Sequence, residues 1–404
     1  MDFESWWLIF MPLLFALGWM AARFDVRQML SETRNLPDSY FRGLNFLLNE
    51  EPDRAIDAFV EVAKLDPETT ELHFALGSLF RRRGEMERAI RVHQSLLSRA
   101  DLPVKQREHA QHELAQDYLR GGMLDRAEDA FAVLKNTSFA LPALRALIRI
   151  YESEHDWPRA IDAVEGLRQL VDEPVPQLVH YHCEMAQAAL AARPPNMVGA
   201  RQSLELAQRA ADAVQGGGAS QVRVSMLKAS IAASEGDRQA ERQFLQSVLD
   251  ASPEYAGLVA QQLYDSCAAL GQADAGLALL RDHYQRFPSL DLFNVVFRAL
   301  RDRQGTGNAW TYARHALQSH PSLLGLDRLL EVELATSPEG TGALGGVIDG
   351  PDLALLRRLI NRHTQRLDRY ACRTCGFQAR RYYWQCPGCN SWETYKPRRL
   401  EELE

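Results

Sequence analysis

Cysteine is scarce in most of this 404-residue chain: there are six in all, and four of them fall in the last 33 residues. The other two, Cys183 and Cys267, lie in apolar helical patterns and are expected to be buried free thiols. The chain therefore lacks the evenly spread cysteines of a disulfide framework. It also has no long low-complexity run, and 46% of its residues are hydrophobic, which favours a folded body over a fibrous or disordered chain.

Motifs for catalysis and nucleotide binding are absent as well. The sequence contains no H-E-x-x-H, G-x-S-x-G or G-x-x-x-x-G-K-[ST], so zinc-protease, α/β-hydrolase and P-loop chemistry have no candidate residues. A formal net charge of −7 does not mark the whole chain as a nucleic-acid binder. The sequence predicts a protein that is not an enzyme and has no catalytic residues.

Long apolar runs are limited to one, from Ser5 to Ala22, which contains no charged residue. Its length is at the short end of what spans a bilayer. A cleaved signal peptide normally begins with basic residues, whereas this chain begins with Asp2 and Glu4. Because Lys and Arg are absent before the run and arginines follow it from Arg23, the positive-inside rule places the N-terminus outside and the bulk of the chain in the cytoplasm. We predict a single-pass transmembrane anchor over residues 1–23.

Self-similarity with a period of 34 residues predicts the body of the chain, over residues 24–336. Gly43 and Gly77 occupy equivalent positions of two consecutive units, and so do Ala55 and Ala89. Such small residues let paired helices approach closely, and a terminal proline ends the second helix, as in tetratricopeptide repeats. The pattern predicts an all-α solenoid of eight to nine helix pairs. Its other key positions are Phe59, Phe80, Ala115, Ala127, Phe131, Ala160, Ala200, Leu204, Ala309 and Ala313.

A glycine-rich segment over residues 337–351 follows the repeats and predicts a flexible connection. Asp352 can cap a helix predicted over residues 352–370. Its apolar stripe consists of Leu355, Leu356, Leu359 and Ile360.

The four clustered cysteines form two C-x-x-C pairs, Cys372 with Cys375 and Cys386 with Cys389, separated by ten residues. Each pair can place two thiolates on one side of a tight turn, and facing pairs complete a tetrahedral cage of four sulfurs. Zinc and iron both accept this ligand set, and two disulfides would require an oxidising compartment. We predict a metal-binding domain over residues 371–404 in which these four cysteines are the ligands. A closed cage suits a structural or a one-electron role.

Two further groups allow more than one interpretation. His180, Cys183 and Glu184 share one region of a predicted helix, where packing is favoured over a second metal site. Between Arg357 and Arg399 there are 11 Lys or Arg residues against two acids, interleaved with aromatic residues that include Tyr382, Tyr383, Trp384, Trp392 and Tyr395. A basic aromatic tail is compatible with nucleic-acid binding, but a small core that docks onto the repeats is favoured. Anionic lipid heads are less favoured, because the tail lies far along the chain from the anchor.

Several motifs carry a resemblance that covers the chain from end to end. They are Gly43–Leu48 in the first repeat, Leu79–Glu85 with Arg88–Arg91 in the second, Asp125–Asp129 in the third, and Cys372–Phe377 with Tyr383–Cys389 in the tail. With these motifs the chain resembles the lipopolysaccharide assembly protein B family of Gram-negative bacteria, inner-membrane tetratricopeptide-repeat proteins with a rubredoxin-type tail.

The resemblance implies regulation without catalysis. It implies a bacterial inner-membrane protein with a periplasmic N-terminus that restrains lipopolysaccharide synthesis. It would promote degradation of UDP-3-O-acyl-N-acetylglucosamine deacetylase by an FtsH-type membrane protease, scaffold lipopolysaccharide assembly proteins, and answer to an inner-membrane lipopolysaccharide-sensing regulator. The rubredoxin-type tail favours iron in the cage, with zinc open. An electron-transfer protein and a membrane-tethered nucleic-acid binder remain alternatives, and a homo-oligomer is compatible with the sequence.

Overall fold

The computed structural model describes residues 38–49, 51–65, 69–171, 175–213, 218–336 and 350–403, with the single positions 15, 16 and 19. The predicted anchor over 1–23, apart from those positions, and nearly all of the glycine-rich segment lie outside the described residues. Among the helices of the described ranges, none has both the length and the apolar character needed to cross a bilayer.

The first compact unit extends to Ile150, and its described residues form helices joined by short turns. Consecutive helices pack as pairs, the first with the second, the third with the fourth and the fifth with the sixth. They are α1 (Asp38–Leu48), α2 (Pro52–Leu65), α3 (Thr70–Arg82), α4 (Met86–Leu97), α5 (Val104–Arg120) and α6 (Leu124–Ala132), followed by α7 (Ala140–Glu154), which continues into the second unit.

Small residues at the repeat positions explain why these helices approach so closely. A Cβ atom at Gly43 would lie 2.6 Å from the ring of Phe59, so a side chain here would force the ring or the helix to shift. Ala55 and Ala89 are fully buried at their equivalent positions. In the turn between α3 and α4, Gly84 has φ +81°, a conformation that costs other residues about 1–2 kcal/mol. These features confirm the repeat pattern predicted from the sequence.

A buried polar cluster links consecutive pairs of the first unit. The fully buried Asp117 carboxylate accepts a hydrogen bond from Arg81 at 2.8 Å and lies 2.5 Å from Nδ1 of His93. Burial alone would raise the pKa of the nearby Glu113, but hydrogen bonds from His112 and Arg81 lower it to about 2. Arg81 therefore connects one repeat to the next.

The second compact unit runs from Tyr151 to the end of the chain and contains the remaining helices and the tail. Its core is built from fully buried aliphatic side chains such as Leu245, Leu263, Leu280 and Val296. Its helices are α8 (Trp157–Leu170), α9 (Gln177–Ala191), α10 (Met197–Ala213), α11 (Gly218–Glu235), α12 (Arg238–Ala251), α13 (Ala256–Ala269), α14 (Ala273–Arg286), α15 (Leu290–Gln304), α16 (Thr306–Ser319), α17 (Leu323–Thr336) and α18 (Gly350–Thr364).

The helix predicted after the glycine-rich segment is observed as α18, which packs against α17. It ends at Thr364, and residues 365–369 turn the chain into the tail. The tail holds a small antiparallel sheet of β1 (Tyr370–Ala371) and β2 (Gln378–Ala379), in which Tyr370 pairs with Ala379. A short 3-10 helix, Leu400–Glu402, follows the last loops.

Candidate metal centre and its docking face

The two C-x-x-C turns bring four sulfur atoms together. All four Sγ atoms lie within 4.8 Å of one another. The Sγ atoms of Cys372 and Cys389 are 3.8 Å apart, and those of Cys375 and Cys386 are 3.6 Å apart. A tetrahedral ion with metal–sulfur bonds of about 2.3 Å separates its ligands by roughly 3.8 Å, whereas a disulfide needs about 2.05 Å. The donor set therefore fits a tetrahedral metal ion.

Backbone donors support negative charge on these sulfurs. The N–H of Thr374 donates to Sγ of Cys372 and that of Gly388 donates to Sγ of Cys386, each at 3.4 Å. Burial would raise the pKa of Cys372, but the hydrogen bond with Thr394 and nearby backbone N–H groups lower it to about 6. For Cys375 the backbone N–H of Phe377 favours the thiolate, yet the neighbouring sulfurs raise its pKa to about 12. Four thiolates therefore need a cation among them.

Around the cage the tail has only a miniature core. Cys372 and Cys386 are buried together with Tyr370 and Tyr395, while Cys375 is exposed. The Tyr395 hydroxyl donates to the carbonyl of Phe377 at 3.2 Å, which connects the chain after one C-x-x-C turn to the chain after the other. A core this small is not enough to hold a domain without a metal.

The tail packs on the helices of the second unit through Trp392. Its indole ring stacks on the imidazole of His180 in α9, with ring centroids 4.7 Å apart and planes 9° from parallel. Its Nε1–H donates to Glu152 at 2.8 Å, and the hydroxyl of Tyr181 donates to the same oxygen at 2.6 Å. We call Glu152, His180, Tyr181, Ser220 and Arg223 the docking face.

Glu393, the next residue of the tail, carries a buried polar network on this face. It accepts hydrogen bonds from Nε2 of His180 at 2.8 Å and from the hydroxyl of Ser220 at 2.7 Å. Arg223 lies 3.2 Å from Nδ1 of His180 and also binds Glu184 and Gln187. Because a guanidinium can only donate, Nδ1 of His180 must accept and Nε2 must carry the proton given to Glu393.

The pKa values of His180 and Glu393 are shifted in directions that agree with this position of the proton. Burial lowers the pKa of His180, and the positive charge of Arg223 lowers it further. The hydrogen bond from His180 lowers the pKa of Glu393. At neutral pH the pair is therefore a neutral imidazole donating to a carboxylate.

A second anchoring point lies on Asp291 at the start of α15. The hydroxyl of Tyr370 donates to its carboxylate at 2.6 Å, and Nη2 of Arg399 donates at 2.9 Å. Arg399 also lies over the ring of Tyr370, 4.3 Å from its centroid. One carboxylate of the helical unit thus holds both the first strand and the last loop of the tail.

The final residues of the tail cap two helices. The carboxylate of Glu401 accepts from the backbone N–H of Leu324 at 3.2 Å and also from that of Leu323, at the start of α17. Glu402 accepts from the N–H of Leu290, at the start of α15, at 3.0 Å. Carboxylates at these positions satisfy free N–H groups and oppose the positive end of the helix dipole.

The residues that the sequence analysis singled out have different places in the structure. The structure brings the four cysteines together, and among the described residues they are the only group placed to hold a metal ion. His180 belongs to the docking face, and burial raises the pKa of Cys183 to about 12, as expected of an inert thiol. Sequence reasoning missed Glu152, Arg223 and Asp291 because nothing in their local sequence points to a partner so far along the chain.

Family comparisons agree with this architecture. Residues 370–397 match a family described as a rubredoxin metal binding domain, and residues 42–101 match the tetratricopeptide repeat. Lipopolysaccharide assembly protein B of Escherichia coli (strain K12) is 31% identical over 392 residues, which cover 96% of this chain and 97% of that protein. The protein of the same name from Haemophilus influenzae is 27% identical over 400 residues, with the same coverage.

Two solved repeat proteins show weak global similarity to this chain. A tetratricopeptide repeat protein from Parabacteroides merdae aligns with a TM-score of 0.31 and 12% identity, over 72% of this chain and 98% of that one. The C-terminal part of a repeat protein from Cytophaga hutchinsonii gives 0.38 and 14%, over 60% and 94%. Sequence identity to the Escherichia coli protein is 31% along nearly the whole chain and includes the repeats and the four-cysteine tail. The chain therefore belongs to the lipopolysaccharide assembly protein B family.

Proposed function

We propose that this chain is a membrane-anchored adaptor, without catalytic activity, that regulates lipopolysaccharide assembly. It would do so by presenting UDP-3-O-acyl-N-acetylglucosamine deacetylase to an FtsH-type membrane protease. The observation that carries this proposal is the similarity to lipopolysaccharide assembly protein B across the repeats and the tail together. The same similarity supports a role in scaffolding lipopolysaccharide assembly proteins.

The architecture suits an adaptor because helix pairs offer long side-chain surfaces for protein partners. In the second unit the tail occupies part of this surface, across α9, α11 and α15. Partner binding would therefore use the remaining helix surfaces or the exposed side of the tail. An anchor over residues 1–23, with a periplasmic N-terminus and a cytoplasmic body, would hold the adaptor beside the protease and raise their effective concentration.

We further propose that Cys372, Cys375, Cys386 and Cys389 bind one metal ion, with iron favoured and zinc open. The ion would fold the tail, and the folded tail would hold Trp392 and Glu393 on the docking face. An inner-membrane lipopolysaccharide-sensing regulator would act on this assembly near the anchor. Nucleic acid is a weaker candidate partner, because the rings of Trp384 and Trp392 pack against His180 and are half-buried, which limits base stacking.

The decisive experiment measures the cellular half-life of the deacetylase in a strain that depends on this chain. Strains would carry the full chain, no chain, the chain ended at residue 350, or Cys372→Ser. We expect the half-life to lengthen in the last three strains, with deletion as the upper limit.

Cys183→Ser is the matched control, since it removes a buried thiol outside the cage. It should leave the half-life unchanged, and equal protein levels should be verified in every strain. A half-life that is the same with and without the chain would refute the adaptor function. A normal half-life with Cys372→Ser alone would remove the cage from the mechanism.

One observation favours an alternative function, electron transfer. Cys375 is exposed, so one edge of the cage faces solvent, where a one-electron donor could approach an iron ion. This alternative predicts a reversible potential and a loss of function when zinc replaces iron. The adaptor function predicts that both metals support normal deacetylase turnover.

A further inference from the structure

Helix α18 presents an apolar ridge to solvent. The exposed fractions of Leu355, Leu356 and Leu359 are 54%, 40% and 49%, although the same helix buries Leu353 against the rest of the unit. Leu355 and Leu359 are four positions apart and so lie one above the other on a single face. Their exposure is a consequence of the helix orientation, because the buried positions lie on its other side.

Arginines flank this ridge. Arg358 and Arg362 are exposed on α18, and Arg366 is exposed in the turn that continues it. None of the three forms an ion pair with a residue in the described part of the chain, whereas Arg357, on the side facing α17, pairs with Asp327 and Glu331. The positive charge of these three arginines is therefore not neutralised within the described ranges.

The acid of α18, Asp352, is exposed in its first turn, and the chain from Arg357 to Arg399 adds no free negative charge. Between Arg357 and Arg399 there are two carboxylates, Asp368 and Glu393, against 11 Lys or Arg residues. Asp368 pairs with Arg399, and Glu393 is held by His180 and Ser220. Both acids are thus committed to internal contacts, and the outer surface of this segment is positive.

We propose that the ridge of Leu355 and Leu359, with Arg358, Arg362 and Arg366, binds the surface of a bilayer that contains anionic phospholipids. Basic amphipathic helices bind such surfaces by placing the apolar ridge at the acyl boundary and the cations among the phosphates. An anionic bilayer complements both features of α18 at once. Distance along the chain from the apolar segment 5–22 does not oppose this, because separation in sequence does not fix separation in space.

The test follows hydrogen exchange of peptides covering residues 350–366, with the full chain in lipid nanodiscs. One set of discs contains phosphatidylcholine alone, and the other contains phosphatidylcholine with phosphatidylglycerol. We expect exchange to slow at least about five-fold in the anionic discs, which is the factor that one arginine near an anionic surface contributes. Exchange at the same rate in the two sets of discs, whether fast or slow, would overturn the proposal.

Two variants separate the contributions of the ridge and of the charge. The first variant removes the ridge by a double substitution, Leu355→Gln and Leu359→Gln. The second removes the charge by a triple substitution, Arg358→Gln, Arg362→Gln and Arg366→Gln. Each variant should abolish the slowing of exchange. The matched control Arg42→Gln, Arg82→Gln and Arg120→Gln removes three exposed charges from the first unit and should keep it. Circular dichroism and metal content should be unchanged in all variants, because every altered side chain is exposed.

A photo-crosslinking residue in place of Leu359 identifies the occupant of this face directly. Adducts with phospholipid support the proposal, whereas adducts with another polypeptide or with a second copy of the chain overturn it. The test requires neither the deacetylase nor the protease, so its failure and the failure of the adaptor function are separable.

Discussion

At the scale of single residues, His180 connects the helical unit to the metal tail most directly. Its ring stacks on Trp392, its Nε2–H donates to Glu393, and its Nδ1 accepts from Arg223. Protonation would place a second N–H against the Arg223 guanidinium and would break this arrangement. The docking therefore depends on a neutral His180.

Acid is expected to weaken the docking of the tail. The pKa of docked His180 is lowered by burial, so its contribution is complete above the ordinary value of about 6.5 and is lost as the pH falls below it. The lowered pKa of Glu393 acts in the same direction at still lower pH. Urea midpoints for release of the tail, measured from pH 7.5 to 5.5 while metal content is monitored, should fall with pH. His180→Gln keeps a donor for Glu393 and should remove most of this dependence; a wild-type midpoint that stays level would contradict the assignment.

Trp392→Ala should weaken the docking by about 3 kcal/mol, since it removes an aromatic stack and leaves a cavity. It also takes away the N–H that Glu152 accepts. Tyr383→Ala is the matched control from the same tail: this residue is 37% exposed, and the change should cost about 1 kcal/mol or less. The urea dependence of amide exchange in residues 370–403 measures both changes, and similar costs for the two variants would argue against Trp392 as the main contact.

At the scale of elements, the 3-10 helix of the tail supplies hydrogen-bond acceptors to the N-termini of two helices, α15 and α17. Glu401 and Glu402 supply acceptors for the N-terminal N–H groups of α17 and α15. Ser322 and Ser289 are the local capping residues of these helices, so the tail adds a second acceptor to each N-terminus. The order of these helix ends thus depends on residues at the end of the chain.

Replacing Glu401 by Gln should destabilise the first turn of α17 by about 0.5–1 kcal/mol, because the charge that opposes the helix dipole is lost. Amide exchange at residues 323–326 should accelerate by the corresponding few-fold, while exchange within α12 should not change. Lys396→Gln is a suitable control, since it alters an exposed charge of the tail away from both helix ends. Faster exchange along the whole of α17 would indicate global unfolding instead of a lost cap.

The elements differ in how well the sequence predicts them. The 34-residue period predicts the helix pairs because close packing needs a small residue, such as Ala89 or Ala127, at a fixed position of every unit. The spacing of the cysteines likewise predicts the knuckles, because a C-x-x-C turn is a local structure. The docking face is not predictable in this way: Trp392 and Glu152 are 240 positions apart, and only the folded helices bring them together.

At the scale of the whole molecule, a metal ion in the cage has to stabilise the fold of the entire tail. The tail buries few of its own side chains, and the order of its loops sets the positions of Trp392, Glu393 and Arg399. Structural zinc contributes about 10–16 kcal/mol in small domains that are unfolded without it. We therefore expect the free energy of metal binding to hold the tail on the docking face.

Removal of the metal should release the tail and leave the helix pairs folded. The ellipticity at 222 nm should change little, because the tail contains almost no helix, while exchange should accelerate in residues 370–403 and at the starts of α15 and α17. Cys386→Ser should reproduce these effects without a chelator, and Cys267→Ser, which removes a buried thiol in α13, should not. Unchanged exchange in residues 370–403 after complete removal of the metal would mean that docking contacts alone hold the tail.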